Sequence, residues 1–197
     1  SNAATLTVTS TSIGSYPSGT VHCISGGAAV VDVTNPTTGE TWMDRNLGAS
    51  QQATSSTDSQ AYGDLYQWGR FSDGHQCRNS STTNTNATMA TPNNGNSWDG
   101  QFIINIGSST NYDWLTPQNN NLWQGKNGTN NPCPNGYRLP TENELNSELL
   151  SWSSFDATGA YGSPLKLPVA GNRHCYTGLL SNSGSNGIYW SSTVDGS

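Results

Sequence analysis

Short apolar runs separated by polar turns occupy the N-terminal part of the chain and predict β-strands. Residues 4–13 alternate small or apolar side chains with hydroxyl side chains, which is typical of an edge strand. Residues 20–24 predict a second strand, and residues 28–34 predict a third, more apolar one. Residues 35–39 read Asn-Pro-Thr-Thr-Gly and predict a turn into a strand at residues 40–43.

The most strongly marked helix is predicted from residue 141 onwards. Thr141 and Glu144 have the spacing of a capping box, in which each side chain can bond a backbone amide at the helix start. Leu145, Leu149 and Trp152 follow at i, i+4 and i+7 and lie on one face of a three-turn helix. We expect this face to pack against the core.

A second helix is predicted within residues 60–70, where Ala61, Leu65 and Trp68 share one face. Gly63 weakens this helix without forbidding it. Other apolar segments predict strands at residues 137–139, 165–171 and 188–193, with a polar hairpin or loop at residues 172–187. The apolar run at residues 102–106 is either a short strand or an anchor.

Residues 72–135 form a long polar insert. Its Asn- and Ser/Thr-rich stretches at 79–86 and 93–96 predict surface loop, because they offer nothing to bury. The insert also carries three tryptophans, Trp98, Trp114 and Trp123. These side chains either fasten the loop to the body of the protein or form a binding platform.

The composition argues against some classes of protein. The net charge is −6, and the seven Lys and Arg residues are scattered, so no electrostatic footprint for nucleic acid is present. No apolar stretch approaches membrane-spanning length. Seven Trp and eight Tyr supply buriable surface, whereas Ser, Thr, Asn and Gly make up nearly half of the 197 residues. This balance predicts a loop-rich, polar domain with an aromatic core.

Four sequence blocks occur in order along the chain. They read Thr-Trp-Met-Asp-Arg-Asn-Leu-Gly at 41–48, Tyr-Gly-Asp-Leu-Tyr-Gln-Trp-Gly-Arg at 62–70, Cys-Pro-Asn-Gly-Tyr-Arg-Leu-Pro-Thr-Glu-Asn-Glu-Leu at 133–145 and Tyr-Trp-Ser-Ser-Thr at 189–193. Together they resemble the Fibrobacter succinogenes major paralogous (FISUMP) domain, which is similar in fold to C-type lectins and to the formylglycine-generating enzyme. The resemblance implies an α+β, C-type-lectin-like fold of twisted antiparallel strands with one or two helices and long irregular loops.

The resemblance also implies the domain organisation. Residues 4–197 are expected to form a single domain with the insert at 72–135, and Ser1-Asn2-Ala3 is typical of an expression-tag remnant. The family pattern continues beyond residue 193 into one or more closing strands, so we expect the closing strand to be missing here. A monomer is expected unless another chain supplies that strand.

The predicted core surrounds the capped helix and draws on all four blocks. Its members are Trp42, Leu47, Leu65, Trp68, Leu139, Leu145, Leu149 and Trp190. Within the last block, Trp190 is expected to be buried and Tyr189 to be more exposed.

The even number of cysteines, four, favours an oxidising compartment. Cys23 and Cys133 lie where the family pattern has cysteines, whereas Cys77 and Cys175 depart from it. Two departures in one chain are most simply the two ends of one added bridge, so the resemblance implies a Cys77–Cys175 disulfide. The pairing of Cys23 and Cys133 stays open.

The residue types and their spacing give little support for a catalytic site or a metal site. The formylglycine-generating enzyme needs a closely spaced cysteine pair, but here the nearest two, Cys133 and Cys175, are 42 positions apart. No Gly-x-Ser-x-Gly nucleophile elbow is present. All three histidines lie beside a cysteine, yet no metal-ligand spacing occurs, and the sugar-binding calcium triplets of C-type lectins are missing. We therefore expect no enzyme activity, no cofactor and no metal.

The predicted function is a non-enzymatic binding or adhesion module, extracellular or on a bacterial cell surface, with a carbohydrate or a cell-surface protein as ligand. The polar-aromatic segment after the helix offers aromatic faces, amides and a guanidinium. The candidate ligand-binding residues are Asn172, Arg173, His174, Tyr176, Asn182, Asn186 and Tyr189. Two alternatives stay open: a cohesive repeat of a larger surface protein without a ligand of its own, and a degenerate enzyme.

Overall fold

The structure, a computed structural model, describes residues 15–92, 95–105 and 112–194. The strand predicted at residues 4–13 lies outside these residues. The elements in chain order are β1 (Asp32–Thr34), β2 (Thr41–Met43), a 3₁₀ turn (Ser59–Ala61), β3 (Thr82–Thr83), β4 (Phe102–Ile103), α1 (Glu142–Leu150), α2 (Ala157–Gly162), β5 (Asn172–Arg173) and β6 (Leu180–Ser181). Few helices and short strands of both orientations are compatible with the α+β class.

Within the described residues, the strands pair in three separate two-stranded ladders. β1–β2 and β5–β6 are antiparallel, whereas β3–β4 is parallel, contrary to the all-antiparallel expectation. Of the predicted strands, those at 20–24, 137–139, 165–171 and 188–193 form no named strand within the described chain. Most of the backbone is therefore held by turns and by bonds between loops.

The β1–β2 hairpin confirms the predicted turn. Thr34 pairs with Thr41, and between them the Asn35 side chain accepts from the Thr37 amide over 2.9 Å. Gly39 takes a φ of +76°, which its missing Cβ allows, and its amide bonds the Asn35 carbonyl. This turn could be predicted from the sequence because the residues that form it are adjacent in the chain.

Helix α1 confirms the predicted capping box. Thr141 Oγ1 accepts from the Glu144 amide, and the Glu144 carboxylate accepts from the Thr141 amide over 2.8 Å. The predicted apolar face is confirmed only in part, because Leu145 and Trp152 are half-buried but Leu149 is exposed. The buried residue of α1 is Glu148, whose carboxylate accepts from Asn35 Nδ2 over 2.6 Å and from Trp152 Nε1 over 3.2 Å.

The helix predicted at 60–70 does not form beyond the 3₁₀ turn. Gly63 takes a φ of +68°, which ends any right-handed helix there. The next amides turn outward, since Asp64 donates to the Leu47 carbonyl and Leu65 to the Gln76 carbonyl. Contacts with distant segments thus override the local helical pattern.

A cluster of buried apolar residues lies inside the polar insert, and other buried apolar residues, such as Leu165 and Val169, lie outside it. The members of the cluster are Ala87, Trp98, Ile103, Trp114, Leu115 and Leu122. The Arg70 guanidinium, itself fully buried, lies 5.4 Å from the ring centroids of both Trp98 and Trp114. Trp123 is also buried, so these tryptophans fasten the insert and offer no exposed binding platform.

The predicted core is confirmed in part. Of its eight residues, six are more than half buried, and Leu149 and Trp190 are exposed. Trp190 is 50% exposed, whereas Tyr189 is half-buried, which reverses the predicted order. The reason is an open cleft, described below, whose lining includes six of the eight: Trp42, Leu47, Leu65, Leu139, Leu145 and Trp190.

Candidate functional site

The β5–β6 hairpin carries most of the predicted ligand-binding residues. Asn172 pairs with Ser181 and Arg173 with Leu180, which brings the predicted polar segment together as an antiparallel ladder. The turn between the strands is closed by the Gly178 amide, which donates to the His174 carbonyl over 2.7 Å. The hairpin is short, so its position depends on contacts outside the ladder.

Arg173 provides those contacts and is not free to bind a ligand. Its guanidinium donates to the Ser80 carbonyl over 2.6 Å and to Ser80 Oγ over 2.5 Å, while its Nε donates to the Gly178 carbonyl over 2.7 Å. It also lies 4.4 Å from the centroid of the Phe102 ring. Burial lowers the pKa of Arg173. This residue fastens the hairpin to the insert.

Three aromatic side chains meet at the hairpin tip. The Tyr112 and Tyr176 rings pack edge to face with centroids 5.3 Å apart, and His174 lies 5.6 Å from Tyr176. A hydrogen bond with Tyr112 raises the pKa of the Tyr176 hydroxyl to about 12. Leu179 and Leu180, on the same hairpin, are also exposed. We call Tyr112, His174, Tyr176, Leu179 and Leu180 the hairpin surface.

The remaining predicted site residues are not part of that surface cluster. Asn182 Nδ2 donates to Asn172 Oδ1 over 3.0 Å, so these two amides bond each other across the hairpin. The Asn186 carbonyl accepts from the Gly171 amide. The Tyr189 hydroxyl donates to the Pro168 carbonyl over 2.6 Å, and burial raises its pKa to about 12. The seven candidates are therefore spread over several environments.

The predicted Cys77–Cys175 disulfide is wrong. Cys77 is bonded to Cys23, and Cys133 and Cys175 are free thiols. The Val21 amide already donates to the Ser72 carbonyl, which brings the segment before Cys23 beside the segment before Cys77. Burial raises the pKa of the Cys133 thiol to about 12, so this thiol is inert as a nucleophile.

A buried Asp73–His75 pair resembles half of a catalytic triad but is used internally. His75 Nδ1 lies 2.6 Å from Asp73, and His75 Nε2 accepts from the Gln67 amide over 3.1 Å. Arg70 Nη2 adds an ion pair to Asp73 at 2.7 Å. Burial lowers the pKa of His75 to about 4. Both ring nitrogens are bonded within the protein, so the imidazole has no nitrogen left to activate a nucleophile.

The search for a metal site in the described part of the chain gives a similar result. No group of three or more His, Cys, Asp or Glu side chains close enough to hold a metal ion occurs at residues 15–92, 95–105 and 112–194. Over the same residues, no helix is long and apolar enough to cross a membrane.

The second candidate region is the cleft, a cavity of about 290 Å³ open to solvent. Large side chains from all four sequence blocks line it, including Tyr66 and Cys133, and Trp123 contributes from outside the blocks. Asp64 is the acid in this lining, and desolvation raises its pKa to about 7. Gly48 packs so closely that an added Cβ would lie 2.2 Å from the Asp64 carboxyl carbon.

Sequence reasoning missed Tyr112, which completes the hairpin surface. Tyr112 and Tyr176 are 64 positions apart, and no local pattern links them. Comparisons with protein-family models, with curated proteins and with solved structures found no match for this chain.

Proposed function

We propose that this chain is a non-enzymatic binding domain of the FISUMP family with a C-type-lectin-like fold, located outside the cell or on the bacterial cell surface. Its contact surface is the hairpin surface, and its ligand is a protein. The Cys23–Cys77 disulfide supports the extracellular location, since disulfides persist in oxidising compartments.

The observation that carries this proposal is the exposure of large apolar side chains at one hairpin. Tyr112 is 59% exposed, Tyr176 39% and Leu179 67%. Clustered exposed apolar groups mark interaction sites, and tyrosines provide contact area at a low cost in side-chain entropy. The Arg173 bonds hold the hairpin in place before a partner arrives, which reduces the entropy lost on binding.

The two leucines favour a protein over a carbohydrate. A sugar ring can stack on Tyr112 or Tyr176, but its hydroxyl groups gain nothing from aliphatic neighbours such as Leu179 and Leu180. A protein epitope can bury all of these side chains in one apolar patch. Catalysis is not part of the proposal, because the Asp73–His75 pair is bonded internally.

Photo-crosslinking tests this function. A photoreactive phenylalanine analogue at position 176 should crosslink one protein from cell-surface extracts, whereas the same analogue at Phe155 should not. Phe155 is an appropriate control because it is 71% exposed and lies in the α1–α2 connection. A glycan-array signal that depends on Tyr176 would instead identify a carbohydrate ligand. Equal crosslinking at both positions, or at neither, would favour the cohesive repeat without a ligand.

A further inference from the structure

The cleft lining contains an acidic side chain that the fold does not use. The Asp64 carboxylate forms no hydrogen bond and no ion pair with any described residue, although Asp64 is half-buried. Its backbone amide donates to the Leu47 carbonyl over 2.8 Å, and its carboxylate lies against Gly48 so closely that a Cβ there has no room. The side chain is therefore held in place by packing, while its oxygens stay unpaired.

The arginines around the cleft are bound to other groups. Arg45, Arg138 and Arg173 line it, the first two in ion pairs with N–O distances of 2.6 Å and the third on backbone and hydroxyl oxygens. Arg78 is also near, but it donates to two backbone carbonyls over 2.7 and 2.8 Å. Desolvation outweighs the opposite effect of Arg78, so the pKa of Asp64 is raised to about 7. Among the described residues, this acid has no bound counter-ion.

Aromatic side chains surround the unpaired acid. Trp42, Tyr66, Trp123 and Trp190 all line the cleft, and the Tyr66 and Trp123 rings pack edge to face with centroids 6.2 Å apart. Burial and then the charge of Asp64 raise the pKa of the Tyr66 hydroxyl, so the carboxylate acts directly on this aromatic wall. Aromatic faces attract cations, and together with an acid they are the groups that recognise organic ammonium ions.

We propose that the cleft binds a small organic ammonium ion, whose nitrogen pairs with Asp64 and whose apolar body lies against the aromatic lining. The cavity volume of about 290 Å³ matches the lower end of small-molecule sites, about 300 Å³. Asp64 is already desolvated in the free protein, so its attraction for a cation is stronger than that of a solvated acid. This site is additional to the hairpin surface and its protein ligand.

Three matched probes test the charge of the ligand. The compounds 2-phenylethylammonium, 2-phenylethanol and 3-phenylpropionate share one aromatic ring and carry a positive, a zero and a negative charge. An NMR titration at about pH 8 keeps Asp64 ionised, because this pH is above its raised pKa. The ammonium probe should bind at least about tenfold more tightly than the alcohol, as expected for a close charge pair, and the propionate should bind most weakly.

The indole N–H signals show where the probe binds. Those of Trp42, Trp123 and Trp190, which line the cleft, should shift during the titration. Those of Trp98 and Trp114, which are buried in the insert cluster, should not. Lining signals that do not respond to the ammonium probe, or shifts confined to the insert cluster, would overturn the proposed site.

Two charge-removing variants test the role of Asp64. Asp64→Asn keeps the shape of the side chain and should lower the affinity for the ammonium probe to that for the alcohol. Glu142→Gln removes one charge at an exposed position outside the lining and should bind the probe as the natural protein does. The unchanged Trp98 and Trp114 signals report that each variant remains folded, and the three probes on the natural protein test the proposal independently of folding.

Each remaining outcome contradicts a stated part of the proposal. Unchanged affinity of Asp64→Asn for the ammonium probe would overturn the pairing with Asp64. Equal binding of the ammonium probe and the alcohol by the natural protein would overturn the preference for a cation. A blocked lysine peptide that binds more tightly than the ammonium probe would assign the cleft to a side chain of a partner protein and overturn the free small molecule.

Discussion

Arg173 fastens the β5–β6 hairpin to the insert through the Ser80 carbonyl and hydroxyl. Its guanidinium also covers the Phe102 ring, so one side chain joins the hairpin, the insert and the edge of the core. In the function proposed above, Arg173 therefore acts indirectly, through the position of the hairpin.

Arg173→Ala should therefore lower the free energy of unfolding by about 2–3 kcal/mol, because it leaves several partly buried acceptors unpaired. Urea denaturation measures this change. Tyr176→Ala, three positions beyond the β5 strand, provides the control and should leave the denaturation midpoint unchanged. Equal midpoints for the two variants would show that the Arg173 bonds contribute nothing to stability.

Asp64 is destabilising in its charged form. Desolvation raises its pKa to about 7 from an ordinary 3.8, so the folded state holds a proton that the unfolded state releases. Folding stability is consequently lost as pH rises from about 4 to 7.

The variant Asp64→Asn removes the titrating carboxyl group and therefore the loss of folding stability with rising pH. Relative to the natural protein, the variant should gain up to about 4 kcal/mol of unfolding free energy between pH 4 and pH 7. Denaturation of both proteins across this pH range gives the difference curve. A difference that stays constant with pH would show that Asp64 titrates normally in the fold.

Two of the five residues of the hairpin surface, His174 and Tyr176, were among the candidates identified from the sequence. Tyr112, Leu179 and Leu180 were not, because the exposure of a side chain and its contacts with distant segments leave no local pattern. Arg173 and Tyr189 look equally suited to binding in the sequence, yet both are bonded to carbonyls of other segments. Whether a polar group serves a ligand or the fold depends on such distant acceptors.

At the scale of elements, helix α1 shows which features depend on neighbouring residues and which depend on distant ones. Its capping box was predictable because Thr141 and Glu144 are three positions apart. Its packing was not, because Glu148 bonds Asn35 from 113 positions away. An amphipathic pattern predicts the helix, but it does not show that a polar residue, Glu148, makes the buried contact.

Two variants of α1 test whether Glu148 or the predicted apolar face contributes more to stability. Glu148→Ala should lower the unfolding free energy by about 2–3 kcal/mol, because it removes the buried carboxylate that accepts from the Asn35 side chain and from the Trp152 indole. Leu149→Ala, on the predicted apolar face, should cost less than about 1 kcal/mol because this side chain is already exposed. Chemical denaturation compares the two, and a larger cost for Leu149→Ala would restore the apolar face.

At the scale of the molecule, the insert contains a buried hydrophobic cluster. The sequence did not predict this cluster, because its residues are few and lie far apart between low-complexity stretches. The disulfide ties the insert to the N-terminal part of the chain, since it joins Cys23 to Cys77 across a separation of 54 residues. Closing a loop of that length contributes about 4 kcal/mol on the chain-entropy view.

Two tryptophan variants distinguish the observed core from the predicted one. Trp114→Ala should cost about 3–5 kcal/mol, because this side chain is buried against Arg70 and donates to the Trp68 carbonyl over 2.7 Å. Trp190→Ala should cost less, because half of its surface is already exposed. Thermal and urea unfolding provide both values. A larger loss for Trp190→Ala would place the core around the cleft instead.

The central claim is that the hairpin surface binds a protein partner, and the affinity of one double variant tests it most directly. Tyr112→Ser/Tyr176→Ser should weaken binding to the crosslinked partner by about 30-fold or more, as expected for hot-spot aromatics. Leu150→Ser, at another exposed apolar residue, should bind as the natural protein does. Unchanged affinity in the folded tyrosine variant would contradict the claim.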